Sequence, residues 1–204
     1  MKSALTRGLV CGLLLAGLVG SASPLSAAVS LELRPAFQVV NPGDYADLEL
    51  YAVSDSGDVT ISAADVLITW DPTYLDLVGL DISGASGVMS AYFPPVGPWS
   101  EYNDGQAPPT DGTAYFRVDA LLGQPLTVTP AGTLLTTILI DALAPTVPGS
   151  TIFSIATTLG GDTESRVFDG VTPALKVTGS LGSAEIVILP EPATLSLLGL
   201  GLVV

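Results

Sequence analysis

Between residues 29 and 189 the apolar positions recur almost throughout with a period of two, which confines this stretch to half-buried β-strands. Ala46, Leu48, Leu50 and Ala52 alternate with Asp47, Glu49 and Tyr51, so one face is apolar and the other acidic. Asn41-Pro42-Gly43-Asp44 precedes that segment and Asp55-Ser56-Gly57-Asp58 follows it. Both are turn chemistry: Pro presets φ and Gly supplies positive φ. In the next segment Val66, Ile68 and Trp70 share one face, Asp65, Leu67 and Thr69 the other, and Asp71-Pro72 ends it. Residues 113–119 alternate too, with Ala114, Phe116 and Val118 opposite Tyr115, Arg117 and Asp119. Residues 134–143, 151–156, 174–178 and 184–189 complete the set. Strands at this spacing, separated by Gly/Pro turns, predict an all-β sandwich or jelly roll. No stretch of helical period is long enough to compete. The 22 Gly and 16 Pro in 204 residues fit many turns between short strands.

The two ends read as addresses. Residues 1–28 have the form of a secretory signal peptide: Lys2 and Arg7, an apolar run over 9–19, then Ser26-Ala27-Ala28, with cleavage after Ala28. The only cysteine, Cys11, lies in that leader, so the mature chain has no thiol chemistry. At the other end Leu189-Pro190-Glu191-Pro192-Ala193-Thr194 precedes an apolar run to Val204. This resembles the PEP-type C-terminal sorting signal of Gram-negative bacteria, with Pro190, Glu191 and Pro192 as its motif. The resemblance implies processing by an exosortase-type membrane protease in cells that make extracellular polysaccharide. It also implies transient membrane contact through the tail. Residues 193–204 are shorter than the roughly 20 apolar residues a spanning helix needs, and no Arg cluster follows them. The expected organisation is a signal peptide (1–28), one β-sandwich domain (29–189) and an incomplete sorting segment (190–204). The expected location is the cell surface or extracellular matrix of a Gram-negative bacterium.

Within the domain, Asp65-Val66-Leu67-Ile68-Thr69-Trp70-Asp71-Pro72-Thr73-Tyr74-Leu75-Asp76-Leu77-Val78-Gly79-Leu80 resembles the hallmark of cohesin domains: an apolar strand ending in aromatic-Asp-Pro, a turn, then an apolar strand. Asn41-Pro42-Gly43-Asp44 before it and the Gly132-led strand after it stand in the matching order. The resemblance implies a cohesin-like, nine-stranded jelly-roll β-sandwich, related to some carbohydrate-binding modules. Cohesins that bind dockerins use one sheet face, with an Asn-x-Asp at the start of the aromatic-Asp-Pro strand. Here the Asp is Asp65 and the Asn position is Ala63. The carried-over partner-binding face is therefore Asp65, with Leu67 and Thr69 beside it; the plain alternative makes Asp65 a solvated strand residue.

Two further candidates come from the residues themselves. The irregular stretch 92–112 holds Tyr92, Phe93, Trp99 and Tyr102 among prolines. Tyr92, Trp99 and Tyr102 could stack on sugar rings, or the loop could fold back as a lid on the core. Acidic turns at Asp55 and Asp58, Asn103 and Asp104, Asp111, and Asp162 with Glu164 offer oxygen ligands for calcium. None has EF-hand spacing, and turns favour Asp and Asn anyway, so no metal or other cofactor is assigned.

Charge narrows the partners. The chain has 20 Asp+Glu against 6 Lys+Arg, and two of those bases lie in the leader. So acidic a domain is unsuited to nucleic acid, whose binding rests on neutralised phosphates, and to anionic headgroups. Neutral glycans, basic protein patches and divalent cations remain compatible. With no His, the usual catalytic triads and most zinc sites are excluded, and no phosphate-binding Gly-rich loop is present. The expectation is a non-enzymatic binding or adhesion module for a polysaccharide or an envelope protein. A structural matrix component without a ligand is the alternative, and a hydrolase of polysaccharide using paired carboxylates is third.

Overall fold

The computed structural model describes residues 27–103, 107–161, 163–171 and 175–190. Thirteen strands and one short 3-10 turn (Ser100–Asn103) lie among them. The strands are β1 Val29–Arg34, β2 Phe37–Val40, β3 Leu48–Ser54, β4 Val59–Thr69, β5 Leu75–Asp81, β6 Val88–Tyr92 and β7 Thr113–Ala120, followed by β8 Leu126–Val128, β9 Thr133–Ala142, β10 Thr151–Ile155, β11 Arg166–Asp169, β12 Thr178–Leu181 and β13 Ser183–Ile188. They form two sheets packed as a sandwich. One has five strands in the order β12-β1-β3-β9-β5; the other runs β2-β13-β10-β4-β7-β6, with β8 and β11 also paired to β4.

The all-β sandwich is the fold expected, divided into more segments than nine. Part of the division has its cause in β4, eleven residues long. One edge of β4 meets β10 at Ile68 and Thr69 and then β11 from Asp65 to Ile61. Its other edge meets β7 from Thr69 to Ala63 and then β8. Four short partners thus share one long spine. The strand expected at 174–178 begins later: Lys176 makes an isolated bridge to Phe168, and β12 starts at Thr178.

The inner faces close a single core. Leu31, Leu48, Leu50, Leu75, Ile138 and Ile140 of the five-stranded sheet are fully buried, as are Val66, Ile68, Phe116, Phe153 and Ile186 of the other. Burying each such side chain contributes about 1.5–3 kcal/mol. Trp70 stacks on Phe153, with ring centroids 6.0 Å apart.

The first two and the last two of the described strands cross between the sheets. β1 and β2 belong to different sheets, as do β12 and β13. β1 runs parallel to β12, and β2 parallel to β13. The second crossing is at Gly182, where an added Cβ would stand 3.1 Å from the Leu31 carbonyl oxygen and 3.2 Å from the Leu33 nitrogen. Glycine is what lets the two backbones approach so closely.

Candidate functional site

Strand register assembles the site. Tyr92 of β6 lies opposite Arg117 of β7, Arg117 opposite Asp65 of β4, and Asp65 opposite Arg166 of β11. Directly paired residues share a sheet face, so Tyr92, Arg117, Asp65 and Arg166 form one row across the outer face of the eight-stranded sheet. Asp65 is only 4% exposed. Its Oδ1 accepts from the Tyr115 hydroxyl at 2.8 Å and from Arg117 Nη1 at 3.2 Å. Arg117 Nε donates to Asp119 Oδ1 at 2.8 Å. Arg166 Nε donates to Glu164 Oε1 at 2.9 Å, and the other Glu164 oxygen takes the Lys176 ammonium. Of the four bases between residues 29 and 189, three (Arg117, Arg166 and Lys176) are in this cluster; Arg34 is on the other sheet.

The electrostatics follow from burial and pairing. Burial lifts the Asp65 carboxyl above the usual aspartate range, and the Tyr115 hydroxyl and then Arg117 offset part of that rise. Burial, followed by the Asp65 charge, pushes the Tyr115 phenol up, so it stays a donor. Burial works against the Arg117 cation, but the Asp119 hydrogen bond and the Asp65 and Asp119 charges outweigh it and raise its pKa. The Lys176 hydrogen bond holds Glu164 below the usual glutamate range.

A roof lies over the row. The Arg166 guanidinium carbon is 4.8 Å from the centroid of the Trp99 ring. The Trp99 ring meets Tyr115 edge-on at 5.3 Å. Tyr102 donates its hydroxyl to the Leu159 carbonyl at 2.9 Å. Asn103, 1% exposed, pins the segment down. β6 ends opposite Arg117, which leaves the edge of β7 beyond it without a strand partner. The Tyr115 N–H on that edge donates instead to Asn103 Oδ1 at 2.9 Å, while Asn103 Nδ2 donates to the Pro94 carbonyl at 3.1 Å. At the far end of the loop, Trp70 N–H donates to the Gly112 carbonyl. Gly112 has φ +93°, and a Cβ there would lie 2.7 Å from the Trp70 oxygen. On the opposite edge of β4, Ser165 fills the gap between β10 and β11: its Oγ accepts the Leu67 N–H at 2.9 Å and donates to the Ala156 carbonyl at 2.7 Å. Beside Arg117 and Asp119 an open groove of about 460 Å³ is lined by Ser62, Met89, Leu121, Leu122 and Gln124.

The predicted residues therefore fall out differently from the strand pattern. Asp65 and Leu67 are 4% and 0% exposed and Thr69 is half-buried, so these three do not present an open contact face. The alternative of a solvated Asp65 is corrected as well. The reason is that β4 is covered on both faces, by the core beneath and above by Tyr115, Arg117 and Ser165, with Trp99 against Tyr115. Tyr92, Trp99 and Tyr102 do not make one open stacking platform. Tyr92 is exposed at the end of the row, Trp99 has Arg166 over its ring, and Tyr102 is tied to Leu159. The loop folds back in two directions: Phe93 packs on the core, meeting Phe116 edge-on at 6.1 Å, whereas Trp99 and Tyr102 lie over the outer face of the sheet. Two candidate sites read separately in the sequence are thus one site.

Of the calcium candidates, Asn103 is bonded to Tyr115, Asp111 accepts the N–H and hydroxyl of Thr113, and Asp55 accepts the Ser56 hydroxyl. Glu164 is paired with Arg166 and Lys176. Asp104 and Asp162 lie outside the described residues. Among the described residues no group of three acidic, His or Cys side chains is placed to hold a metal ion. Ala28 accepts the Asp55 N–H just before β1, and Pro190 is the last described residue. Glu191, Pro192 and residues 1–26 lie outside the description. Sequence reasoning missed Tyr115, Arg117 and Arg166 as site residues. The available signal was scarcity: in a chain this poor in bases, each one is informative.

No protein-family model and no curated protein matches the chain. Solved structures do. A cohesin module of a family 33 glycoside hydrolase from Clostridium perfringens matches at 13% identity with a TM-score of 0.54, covering 81% of this chain and 100% of that one. A structure of a type I cohesin–dockerin complex from Clostridium thermocellum matches at 13% identity and 0.54, covering 79% and 99%. CaCohA2 from Clostridium acetobutylicum matches at 11% identity and 0.53, covering 79% and 91%.

Proposed function

From a sandwich with the cohesin fold, we propose that this chain is an exported, non-catalytic binding module that takes a protein partner on the outer face of its eight-stranded sheet. One observation carries the reading: three of the four bases between residues 29 and 189 gather on that face, around a buried carboxylate. The face departs from the acidic character of the chain as a whole, and a local change of charge on a surface is a device for choosing partners. Next to it lie Tyr92, Met89, Leu121 and Leu122, exposed by 41%, 49%, 42% and 92%. Apolar and aromatic residues around a fixed arginine are the usual composition of a protein contact. The cohesin–dockerin pairing in the Clostridium thermocellum structure lends support by analogy of fold only.

Localisation is proposed with it. The leader cleaved after Ala28 and the Pro190-Glu191-Pro192 motif would deliver the domain to the surface or matrix of a Gram-negative cell through an exosortase-type system. Replacing Glu191 and both prolines is expected to change processing or release; unchanged processing would reject the sorting role.

The binding test uses the exported chain against a fraction of the cell's own envelope. Saturable binding, lost after protease treatment of the fraction and weakened by Tyr92→Ala and Leu122→Asp but not by Arg34→Ala, is the expected result. Binding that survives protease but not glycan hydrolysis would replace the protein partner with a polysaccharide. Non-saturable binding indifferent to all three substitutions would leave a structural matrix component.

A further inference from the structure

We propose that Trp99 is a self-ligand of this site, its indole occupying the place that an uncharged aromatic side chain of the partner takes when it binds. The inference rests on the protein-binding reading above and names the partner chemistry that the reading leaves open.

The backbone is the first ground. Trp99 has φ +72° and, among the described residues, is the only non-glycine with positive φ. A bulky residue in the left-handed region is strained and persists only where its surroundings over-determine it. The local turn supplies part of that hold: Ser100 Oγ donates to the Gly97 carbonyl at 2.8 Å, and Tyr102 N–H donates to the Trp99 carbonyl at 3.1 Å. Gly97, at φ +105°, allows the chain to enter the turn.

The side-chain contacts are the second ground. What holds the indole is remote in sequence: the guanidinium of Arg166 over its ring and the edge contact with Tyr115. Both are contacts that any aromatic ring makes, so a ring from another molecule can replace this one contact for contact. The replacement also releases the strained φ. When Trp99 leaves, Tyr115 and the Asp65 row beneath it become part of the interface. Charge restricts the incoming group. The Arg166 guanidinium that lies directly against the ring position disfavours a cation in the slot, while a formal net charge of −14 disfavours an anionic partner. An uncharged aromatic side chain meets neither penalty.

The test begins with Trp99→Gly in the otherwise intact exported chain, because glycine adopts this φ without steric cost. N-acetyl-tryptophanamide and N-acetyl-leucinamide are the probes, titrated by NMR. The variant is expected to bind the tryptophan amide about tenfold more tightly than the parent, since the competing internal ligand is gone. Adding Arg166→Gln should remove that gain, and the leucine amide should show none. Equal affinity of parent and variant, or equal affinity for the two amides, would overturn the proposal. Should the variant fail to fold, the parent labelled with 5-fluorotryptophan decides. Its two tryptophans give two fluorine resonances; that of Trp99 must shift with the tryptophan amide while that of buried Trp70 stays, and two unmoved resonances reject displacement. Envelope binding that still depends on Tyr92 and Leu122 when the probes fail removes only this inference. Probe exchange without envelope binding removes the functional reading.

Discussion

The two outer faces of the sandwich carry the same pair of contacts with opposite surroundings. On the five-stranded sheet Arg34 pairs with Glu32 at 2.8 Å and lies 4.3 Å from the centre of the Tyr51 ring. On the eight-stranded sheet Arg117 pairs with Asp65, and Arg166 lies against Trp99. The arginines Arg34 and Arg117 are almost equally exposed, at 38% and 36%; their carboxylates are not, Glu32 at 43% and Asp65 at 6%. Chemistry that is decoration on one face becomes architecture on the other. An exposed pair trades protein contacts for water at little net gain, whereas a buried carboxylate depends on every donor it has.

That contrast can be broken by substitution, and the widest gap belongs to the two arginines. Arg117→Ala is expected to cost about 3 kcal/mol, discounted from the fully buried case because the guanidinium is partly solvated. Arg34→Ala should cost less than about 1 kcal/mol. Urea denaturation of the two variants measures both; equal losses would mean that Asp65 does not rely on Arg117. Asn103→Ala comes next, at about 2 kcal/mol, because it strands the Tyr115 N–H and the Pro94 carbonyl. Its exposed counterpart Asn41, bonded to Asp44, should lose no more than about 0.5 kcal/mol on the same change. Hydrogen exchange at the Tyr115 amide reports the first case directly and should quicken. A finer comparison sets glycine against alanine. At Trp99 the glycine variant should be more stable than the alanine variant by about 1 kcal/mol, since alanine keeps the left-handed penalty. At Tyr51, in a regular strand, the order should reverse by a similar ~1 kcal/mol. The same order at both positions would remove backbone strain from the account of Trp99.

The smallest effect is in acid. Glu164 is held low, so its contribution is present above the ordinary glutamate range and lost as pH falls through the lowered value. Asp65 has the opposite sign: its pKa is raised, so its contribution is present below the ordinary aspartate range and lost as pH rises through the raised value. Lys176→Ala removes the largest cause at Glu164. A carboxyl titration by NMR should show Glu164 returning toward 4.5 while Asp65 stays high. An unmoved Glu164 would refute the pairing.

How much of this was legible differs from strand to strand. β3 shows the alternation its residues predict, buried at Leu48, Leu50 and Ala52 and exposed at Glu49. The order of Asn-Pro-Gly-Asp, aromatic-Asp-Pro and the Gly132-led strand pointed to the fold that the solved cohesins share. β4 was read wrongly as a strand with one open face, although Ala63, Ala64, Val66, Leu67 and Ile68 form a nearly continuous apolar run. Such a run marks a strand covered on both faces, and only Asp65 disguised it. The roof was harder to foresee because a Pro-rich loop has no periodicity to read. The row was harder still: it needs the mutual register of strands some 50 and 100 residues apart, which no local pattern specifies. Nothing in Gly97-Pro98-Trp99 signals a left-handed tryptophan.

The parallel pairing of β1 with β12 and of β2 with β13 sets the order in which this domain can be made. β13 is inserted between β2 and β10, so β2 stays apart from the rest of the larger sheet until β13 has left the ribosome. Contacts between Ser30 and Ser180, 150 residues apart, must wait for the same moment. Closure over such separations places the domain among slow folders, on the scale of milliseconds to seconds. The larger sheet is therefore completed only when β13 has docked between β2 and β10.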